Sequence, residues 1–490
     1  MTIRVRYAPS PTGDPHVGNI RTALWTWLHA RHHGGQFIVR IEDTDQSREV
    51  PGAVRRILDS LRWLGMDWDE GPDIDGPFAP YTQSERLPMY RAAVERLLEH
   101  GRAYRCFCTS ERLDALRAAQ REAKQPPGYD ALCASLDADA SANRASAGEA
   151  HVVRFLMPRE GMTTFTDLLR GEISVENRLS DDFVILKSDG FPTYHLAHVV
   201  DDYAMQITHV SRGEEWIPSA PRHVQVNQAL GYPVPVYVHT SVILGPDGGK
   251  LSKRHGAKSV LEHAEDGYLP DALFNFLAIM GWSPDGATEV MTRDEMIAAF
   301  DFSGLAPHPA TFDVQKLDWM NGVYLRAMPE RELSEQFATW LERTLPGDVP
   351  RPIDRAYVEE ITPLARERVK TLRDLTPLVD FFFAQEAPTP TREALLGKPY
   401  RERAADASRA LVAAATHLEV VAEWDSARIE ATLRTAAEEI GEKAADVFML
   451  CRVAVTGKPV TPPLFETMAI VGQEPCLTRL RAASEIVAGG

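Results

Sequence analysis

Two short segments of this chain carry the residue types that handle phosphate. The first is Pro9-Ser10-Pro11-Thr12-Gly13-Asp14-Pro15-His16-Val17-Gly18. The second, far downstream, is Lys250-Leu251-Ser252-Lys253-Arg254, and it follows the turn Gly245-Pro246-Asp247-Gly248-Gly249. In the first, Gly13 and Gly18 let the backbone approach phosphate oxygens closely and present free N–H groups, and His16 adds a ring nitrogen. In the second, Lys250, Lys253 and Arg254 supply positive charge for a transferring phosphoryl group, on a Gly-rich turn suited to movement. Taken singly, a basic pentad is ordinarily a solvated loop, and a Gly/Pro run is ordinarily a tight turn. Their order, and the elements around the first, argue for a polyphosphate held from two sides, as in an ATP site.

Those segments need elements to position them. A strand over residues 3–7, the Gly/Pro loop and an apolar-periodic helix over 20–29 would aim a helix N-terminus at the phosphates. Strand and helix patterns alternate over 3–7, 20–29, 37–41, 54–64 and 90–100, which favours an α/β fold with a Rossmann-like, doubly wound parallel sheet. From 106 to about 190 the pattern changes to a charged helix (110–124), a Pro-Pro-Gly turn, a stretch poor in large apolar residues (134–150), and strands near 152–157 and 173–175. An inserted α+β domain is expected there. The sheet is expected to resume with strands over 194–200, 207–211 and 236–240. Residues 269–280 and 314–319 read as helical packing. Beyond 329 the pattern is all-α, with helices over 331–343, 355–372, 403–418 and 427–440, separated by Pro-containing runs. The expected division is 1–105, 106–190, 191–240, 241–328 and 329–490.

Composition sets the remaining bounds. The chain has 490 residues, 44% hydrophobic and 25% charged, ordinary for a globular enzyme of several domains. Five cysteines are too few and too uneven for a disulfide framework. No apolar run reaches the roughly 18 residues that a membrane helix needs, and the first residues lead straight into a strand, so a cytoplasmic protein is expected. The net charge of −17 argues against indiscriminate nucleic-acid binding but leaves room for a local basic face that docks RNA.

His16-Val17-Gly18-Asn19 and Lys250–Arg254 resemble the two signature motifs of class I aminoacyl-tRNA synthetases, by tradition HIGH and KMSKS. The run from Arg6 to Gly18 is similar to bacterial glutamyl-tRNA synthetases, and so are Arg40-Ile41-Glu42-Asp43-Thr44-Asp45 and Pro192-Thr193-Tyr194-His195. The likeness continues in Arg212-Gly213-Glu214-Glu215-Trp216 and Trp319-Met320-Asn321-Gly322. It covers the first two thirds of the chain with specific motifs and the rest more loosely. The resemblance implies a two-step reaction: the α-carboxylate of glutamate attacks the α-phosphorus of ATP, then a ribose hydroxyl of the terminal adenosine of tRNA(Glu) takes the glutamyl group. The attacking group is already an anion, so positioning and charge stabilisation should suffice, with no protein base.

The same resemblance assigns roles. His16, Lys250 and Lys253 would be catalytic. ATP with Mg²⁺ would be held by Pro9, Ser10, Thr12, Gly13, His16, Gly18, Glu215, Lys250, Leu251, Ser252, Lys253 and Arg254. Glutamate would meet Arg6, Ser10, Glu42, Tyr194, His198, Arg212 and Trp216; arginine suits a buried carboxylate because it binds bidentately. His198 departs from the Asn that many relatives carry, and its charge would depend on pH. Cys106, Cys108, Tyr129 and Cys133 follow the spacing of relatives that hold a structural Zn²⁺, with buried free thiols as the alternative. Residues 106–190 would bind the acceptor stem. Residues 329–490 would bind the anticodon, with Arg366, Arg368 and Arg373 as candidate readers, and a monomer is expected. A glutaminyl-tRNA synthetase is disfavoured by Pro9–Gly13 and by the helical C-terminal third. A shorter tRNA-modifying paralogue and a one-domain adenylyltransferase are disfavoured by length, and a non-enzymatic RNA-binding role by the intact ATP motifs.

Overall fold

The computed structural model describes residues 2–252, 258–384 and 386–489. It forms two compact units, Met1–His263 with Leu273–Val314, and Ala264–Ala272 with Gln315–Gly490.

In the first unit the strand Arg4–Tyr7 is buried along its whole length, as a central parallel strand must be. It pairs in parallel with Gln36–Val39, Arg4 opposite Gln36 and Tyr7 opposite Val39. The helix Val17–His32 makes the crossover between them. On the other side, the Thr208 amide donates to the Arg4 carbonyl at 2.9 Å, which brings the strand His209–Gly213 alongside. That strand runs parallel to Val236–Thr240. The antiparallel hairpin Met162–Asp167/Gly171–Glu176 joins the same sheet through Asp167, opposite Tyr237. A separate antiparallel sheet of three strands, Ala103–Cys106, Val152–Phe155 and Val184–Leu186, has Val152–Phe155 at its centre. The stretch poor in large apolar residues holds a short helix, Ala138–Ser146, capped by the Asp137 carboxylate. Its Ala- and Ser-rich face left no apolar stripe to read.

One expected strand is a helix. Residues 194–200 read as an apolar run, but Tyr194–Ala204 is α-helical and every residue from Leu196 to Asp202 is buried. A short continuous apolar run has the same pattern in a buried strand and in a helix buried on all sides, so periodicity cannot separate them.

This helix carries the polar centre of the first unit. Its Asp201, fully buried, accepts from Arg86 Nε at 2.7 Å, Gln83 Nε2 at 2.8 Å and the Tyr90 hydroxyl at 2.7 Å. Asp202 accepts from Arg6 Nε at 3.0 Å and from Arg40 Nη1 at 2.8 Å. Burial works to raise the pKa of Asp202, but the Arg6 and Arg40 charges hold its carboxyl well below the usual carboxylate range. Adjacent aspartates on one helix thereby gather arginines from the first strand, the residue after the second, and the 3₁₀ turn Gln83–Arg86. At the other end, Arg21 of the helix Val17–His32 donates to the Met280 carbonyl at 3.0 Å and to that of Ser241, and Trp25 donates to the Ala278 carbonyl at 2.8 Å. A cation at the last carbonyls of the helix Pro270–Ile279 also suits its dipole.

Among the described residues of the second unit every regular element is helical. Its cores are built from Leu, Ala, Val and Phe at helical spacing, such as Leu333, Phe337 and Leu341 on Glu330–Thr344, and Ala407, Leu411 and Ala414 on Ala404–Glu419. Of the candidate anticodon arginines, Arg366 donates to the Arg326 and Met328 carbonyls at the end of the helix Val314–Ala327. Arg373 pairs with Asp266 at 2.8 Å, and Arg368 stands exposed.

Removing one partner of a buried, hydrogen-bonded ion network leaves charges uncompensated. Asp201→Ala should therefore lower stability by about 3–5 kcal/mol in urea denaturation. Arg434→Ala breaks only exposed contacts, the Arg434–Glu430 pair and the approach of the guanidinium to the Phe448 ring at 5.2 Å, and should cost about 1 kcal/mol or less. Equal effects would mean that the buried network contributes no more than a surface pair.

Candidate active site

The phosphate-binding reading of the first motif rests on local geometry. The helix Val17–His32 begins at His16, whose ring Nδ1 accepts from the Gly18 amide at 3.1 Å. A Cβ on Gly18 would sit 3.1 Å from His16 Nδ1 and Cε1, so glycine is what lets the ring fold onto the helix start. With Nδ1 accepting, the proton resides on Nε2, which is left to donate to an anion beyond the helix N-terminus. Partial desolvation by the loop, then the Lys250 charge, lowers the His16 pKa and favours this neutral tautomer. The turn at 245–249 closes by the Gly245 amide donating to the Gly249 carbonyl at 2.8 Å. It presents Lys250, whose Nζ lies 3.2 Å from Glu215 Oε1. Ser10, Thr12 and His16 are exposed, while Pro9, Gly13, Gly18, Leu251 and Ser252 are half-buried. Lys253 and Arg254 lie outside the described residues.

The carboxylate-binding reading turns on how two arginines are partnered. Every nitrogen of Arg6 has a partner: Nε and Nη2 reach both oxygens of Asp202, at 3.0 and 3.3 Å, and Nη1 donates to the Ser211 carbonyl at 3.3 Å. The same is not true of Arg212. Its Nε donates to His239 Nε2 at 3.1 Å. Its Nη1 lies 3.3 Å from the Tyr194 hydroxyl and 3.2 Å from His223 Nδ1. Its Nη2 is buried with no partner, and among the described residues no carboxylate lies within ion-pair distance of this guanidinium.

The histidines around Arg212 are held neutral. His239 Nδ1 donates to Asp167 at 2.6 Å, which leaves Nε2 as the acceptor for Arg212. His223 accepts from Arg212 at Nδ1, so its Nε2–H faces His195 Nδ1 at 2.9 Å. Burial pushes the pKa values of His239 and His223 down, and His198 well below its ordinary value. His198, 3.8 Å from Asp202, thus stays uncharged near neutral pH, so the pH-dependent charge expected of it is suppressed by burial. Tyr194 and the half-buried Trp216 close the space, ring centroids 4.6 Å apart, and the Arg212 guanidinium lies 6.0 Å from the Trp216 ring. Glu42 is buried and accepts from Arg40 Nη2 at 2.9 Å; burial raises its pKa against the pull of Arg40.

Sequence reasoning missed Asp167, His223, His239 and Asp202. The His-rich character of 195–239 was visible. That Asp167 orients His239 across the sheet was not, since the pair is 72 residues apart.

The thiol cluster forms as its spacing suggested. Cys106 and Cys108 Sγ lie 3.3 and 3.4 Å from the Tyr129 hydroxyl, and Cys108 and Cys133 Sγ are 3.6 Å apart. A tetrahedral Zn–thiolate site has S···S edges of about 3.8 Å, so the donor set fits the ion. Burial raises the pKa of Cys108 to about 11 and pushes that of Tyr129 up. These are neutral groups that a dication would deprotonate.

Neutral histidines carry a pH consequence. Burial, with the Arg222 and Arg212 charges, pushes His195 down to about 4, whereas the unfolded value is near 6.5. Between those values the unfolded chain binds more protons than the folded one. The contribution of neutral His195 is therefore complete above about pH 6.5 and is lost as pH falls towards about 4. His195→Gln should flatten the fall in denaturation midpoint across this window by one proton. An unchanged slope would show that His195 titrates alike in both states.

Comparison with known proteins supplies the family. The family model for tRNA synthetases class I (E and Q), catalytic domain, matches residues 2–319, and that for an anticodon binding domain matches 332–484. A glutamate–tRNA ligase of Dehalococcoides mccartyi (strain CBDB1) is 47% identical over 481 residues, covering 98% of this chain and 97% of its own length. One from Acidothermus cellulolyticus is 46% identical over 497 residues, covering 100% and 97%. The crystal structure of a glutamate tRNA ligase from Elizabethkingia meningosepticum, in complex with its amino acid, is similar with a TM-score of 0.90 and 34% identity, covering 99% of this chain and 100% of that one. With a catalytic match over more than half its length and ligase relatives aligned end to end, the chain belongs to the glutamate–tRNA ligase family of class I tRNA synthetases.

Proposed function

We propose that this chain is an enzyme that activates L-glutamate with ATP and transfers the glutamyl group to the 3′-terminal adenosine of tRNA(Glu), for protein synthesis. One observation carries the choice of amino acid. Arg212 is a buried guanidinium surrounded by neutral imidazoles and a phenol, with one unpartnered NH₂ group. A side-chain carboxylate supplies the missing charge and accepts from the free NH₂ group; the amide of glutamine supplies no charge and would leave the guanidinium uncompensated. Arg6 supports the site at one remove, by fixing Asp202 below it. Tyr194, His198 and Trp216 form the walls, and Ser10 and Glu42 face the amino-acid backbone, with the carboxylate of Glu42 a partner for the α-ammonium.

The activation step needs no base from the protein. The glutamate α-carboxylate attacks the α-phosphorus of ATP and pyrophosphate leaves, with Mg²⁺ bridging phosphate oxygens as part of the substrate. His16 Nε2–H and the amides of the helix N-terminus hold phosphate oxygens. Lys250 and Lys253 offset the charge that grows on the leaving group, with Glu215 positioning Lys250 and Arg254 adding a further donor. Residues 1–105, 191–240 and 241–328 then serve catalysis and stem contact. Residues 106–190 receive the acceptor stem and 329–490 the anticodon arm, where Arg368 and Arg373 are the exposed ones of the candidate arginines, Arg373 paired with Asp266. A cytoplasmic monomer completes the reading. Cys106, Cys108, Cys133 and Tyr129 would hold a structural Zn²⁺ that braces the inserted segment and takes no part in the chemistry.

Pyrophosphate exchange and aminoacylation of purified tRNA(Glu) and tRNA(Gln) test the proposal together. Exchange should require glutamate and reject glutamine. Arg212→Ala should lower kcat/KM for glutamate by about two to three orders of magnitude, the cost of leaving one member of a desolvated pair alone, with the KM for ATP nearly unchanged. Comparable exchange with glutamine in the parent enzyme would overturn the carboxylate reading. For the thiol cluster, the Cys106→Ser, Cys108→Ser variant should lose one zinc per chain on elemental analysis of protein purified without added metal.

A further inference from the structure

The helix Val17–His32 presents His16 to the phosphate site at one end; its other end, about 20 Å away, carries an arrangement that the proposed function does not use. His29 and His33 are spaced i,i+4 and so lie on one face of the chain as it leaves the helix. Asp301 approaches them from the segment after the helix Arg293–Ala299. One donor atom from each of His29, His33 and Asp301 lies within 4.8 Å of the others. Asp301 Oδ2 is 3.1 Å from His33 Nε2 and 3.6 Å from His29 Nδ1. Bond lengths of about 2.0–2.2 Å to nitrogen and oxygen give a tetrahedral zinc site donor–donor edges of about 3.3–3.5 Å, between the two observed distances.

A plainer reading takes His33–Asp301 as a hydrogen bond and His29 as a core histidine. It leaves His29 unexplained. That residue is 4% exposed, and neither of its ring nitrogens has a hydrogen-bond partner. A gap of 3.6 Å to Asp301 is too long to be one. Buried polar groups are ordinarily satisfied, so a ring with both nitrogens idle, one turned towards a carboxylate and a second imidazole, points to a missing partner. The surroundings also orient the donors as the outer partners of a metal site do. The Ser303 amide donates to Asp301 Oδ1 at 2.8 Å, which leaves Oδ2 facing the histidines. His29 stacks on Phe302 with ring centroids 4.1 Å apart, which fixes its plane. His32 Nδ1 donates to the Ile297 carbonyl at 2.8 Å, and His32 is not one of the grouped donors. His209, its ring 5.3 Å from that of His29, is not one of the grouped donors, so water would fill the fourth position. The negative end of the helix dipole favours a cation here.

We infer that His29, His33 and Asp301 form a binding site for a divalent first-row transition ion of the zinc class, tying the end of this helix to the segment at 301. Imidazole, imidazole and carboxylate form a donor set suited to such ions, whereas Mg²⁺ and Ca²⁺ prefer oxygen alone. The ion would be separate in place and in ligand chemistry from one held by the thiols at 106–133, and the assignment does not depend on which amino acid the enzyme activates.

The test uses the full-length chain, stripped with chelator, dialysed against Zn²⁺ and counted by elemental analysis. His33 is exposed and Asp301 half-buried, so His33→Gln with Asp301→Asn leaves the core intact. The Cys106→Ser, Cys108→Ser variant should still bind one Zn²⁺ per chain, and adding the His33 and Asp301 changes to it should abolish that binding. The same ion should raise the melting temperature of the Cys variant and leave that of the combined variant unmoved. Co²⁺ loaded into the Cys variant should show visible ligand-field bands without thiolate charge transfer, and these should vanish in the combined variant. If the Cys variant binds no ion, or binds one that survives the His33 and Asp301 changes, the site does not exist as described. In the first case His29 is a core histidine; in the second the ion belongs to another place. The zinc lost between the parent chain and the Cys variant reports on the thiols, and that lost between the Cys variant and the combined variant reports on His29, His33 and Asp301, so failure of either assignment is distinguishable from failure of the other.

Discussion

The side chains of Asp201 and Asp202 are the constraint on which the first unit depends. Each is a buried carboxylate that could not stay charged alone, and each is surrounded by arginines that could not stay buried alone. Because the two are adjacent on one helix turn, they take their hydrogen bonds from different partners and share the charge of Arg40, whose Nε lies 3.8 Å from Asp201. Asp201 takes Arg86 and Tyr90 from the elements that follow the second strand. Asp202 takes Arg6 from the first strand and Arg40 from the end of the second. The helix is thus bound to the parallel sheet by charge as well as by Leu196, Val199 and Val200 in the apolar core. Such a network specifies one arrangement, since any shift of register would leave several ions unpaired at once.

That arrangement decides how the two candidate arginines differ. Arg6 and Arg212 lie on parallel strands of one unit and are about equally buried, yet only Arg6 meets a carboxylate. Around Arg212 the fold places His239, His223 and the Tyr194 hydroxyl, all able to accept from a guanidinium without cancelling its charge. Asp167 stays one residue further out, where it sets the tautomer of His239 and leaves the guanidinium charge in place. A water-excluded cation with an idle donor is a preorganised receptor for an anion. On the proposed function, electrostatics more than shape would select the amino acid.

The helix Val17–His32 serves two ends with different chemistry. Its first turn, capped by a neutral His16, points N–H groups at the place where phosphate is proposed to bind. Its last turn gathers His29, His32 and His33 where the carbonyls favour positive charge. Arg21 and Trp25, between the two, are anchored to the carbonyls of 241, 278 and 280. A helix fixed along its length couples the position of the phosphate loop to the integrity of its far end.

Much of this protein was legible from sequence. The strand–loop–helix at the first motif, the alternation that follows, the helical C-terminal third and the grouping of Cys106, Cys108, Tyr129 and Cys133 all rest on local pattern. Gly/Pro punctuation, period and short spacing survive folding unchanged. The family was legible too, because motif residues such as His16, Arg212 and Lys250 are set by chemistry that tolerates few substitutes. What only the tertiary structure decided is partnership. Residues 194–200 fold as a helix that the sequence could not show, because continuous burial from Leu196 to Asp202 erases the period that distinguishes a helix from a strand. Arg6 and Arg212 looked alike as strand arginines, and only the long-range placement of Asp202, His223 and His239 made one a strut and the other an open receptor. The approach of Asp301 to His29 crosses some 270 residues of chain. Charge pairing and metal geometry depend on distance in space to within an ångström, and sequence separation carries almost none of that information.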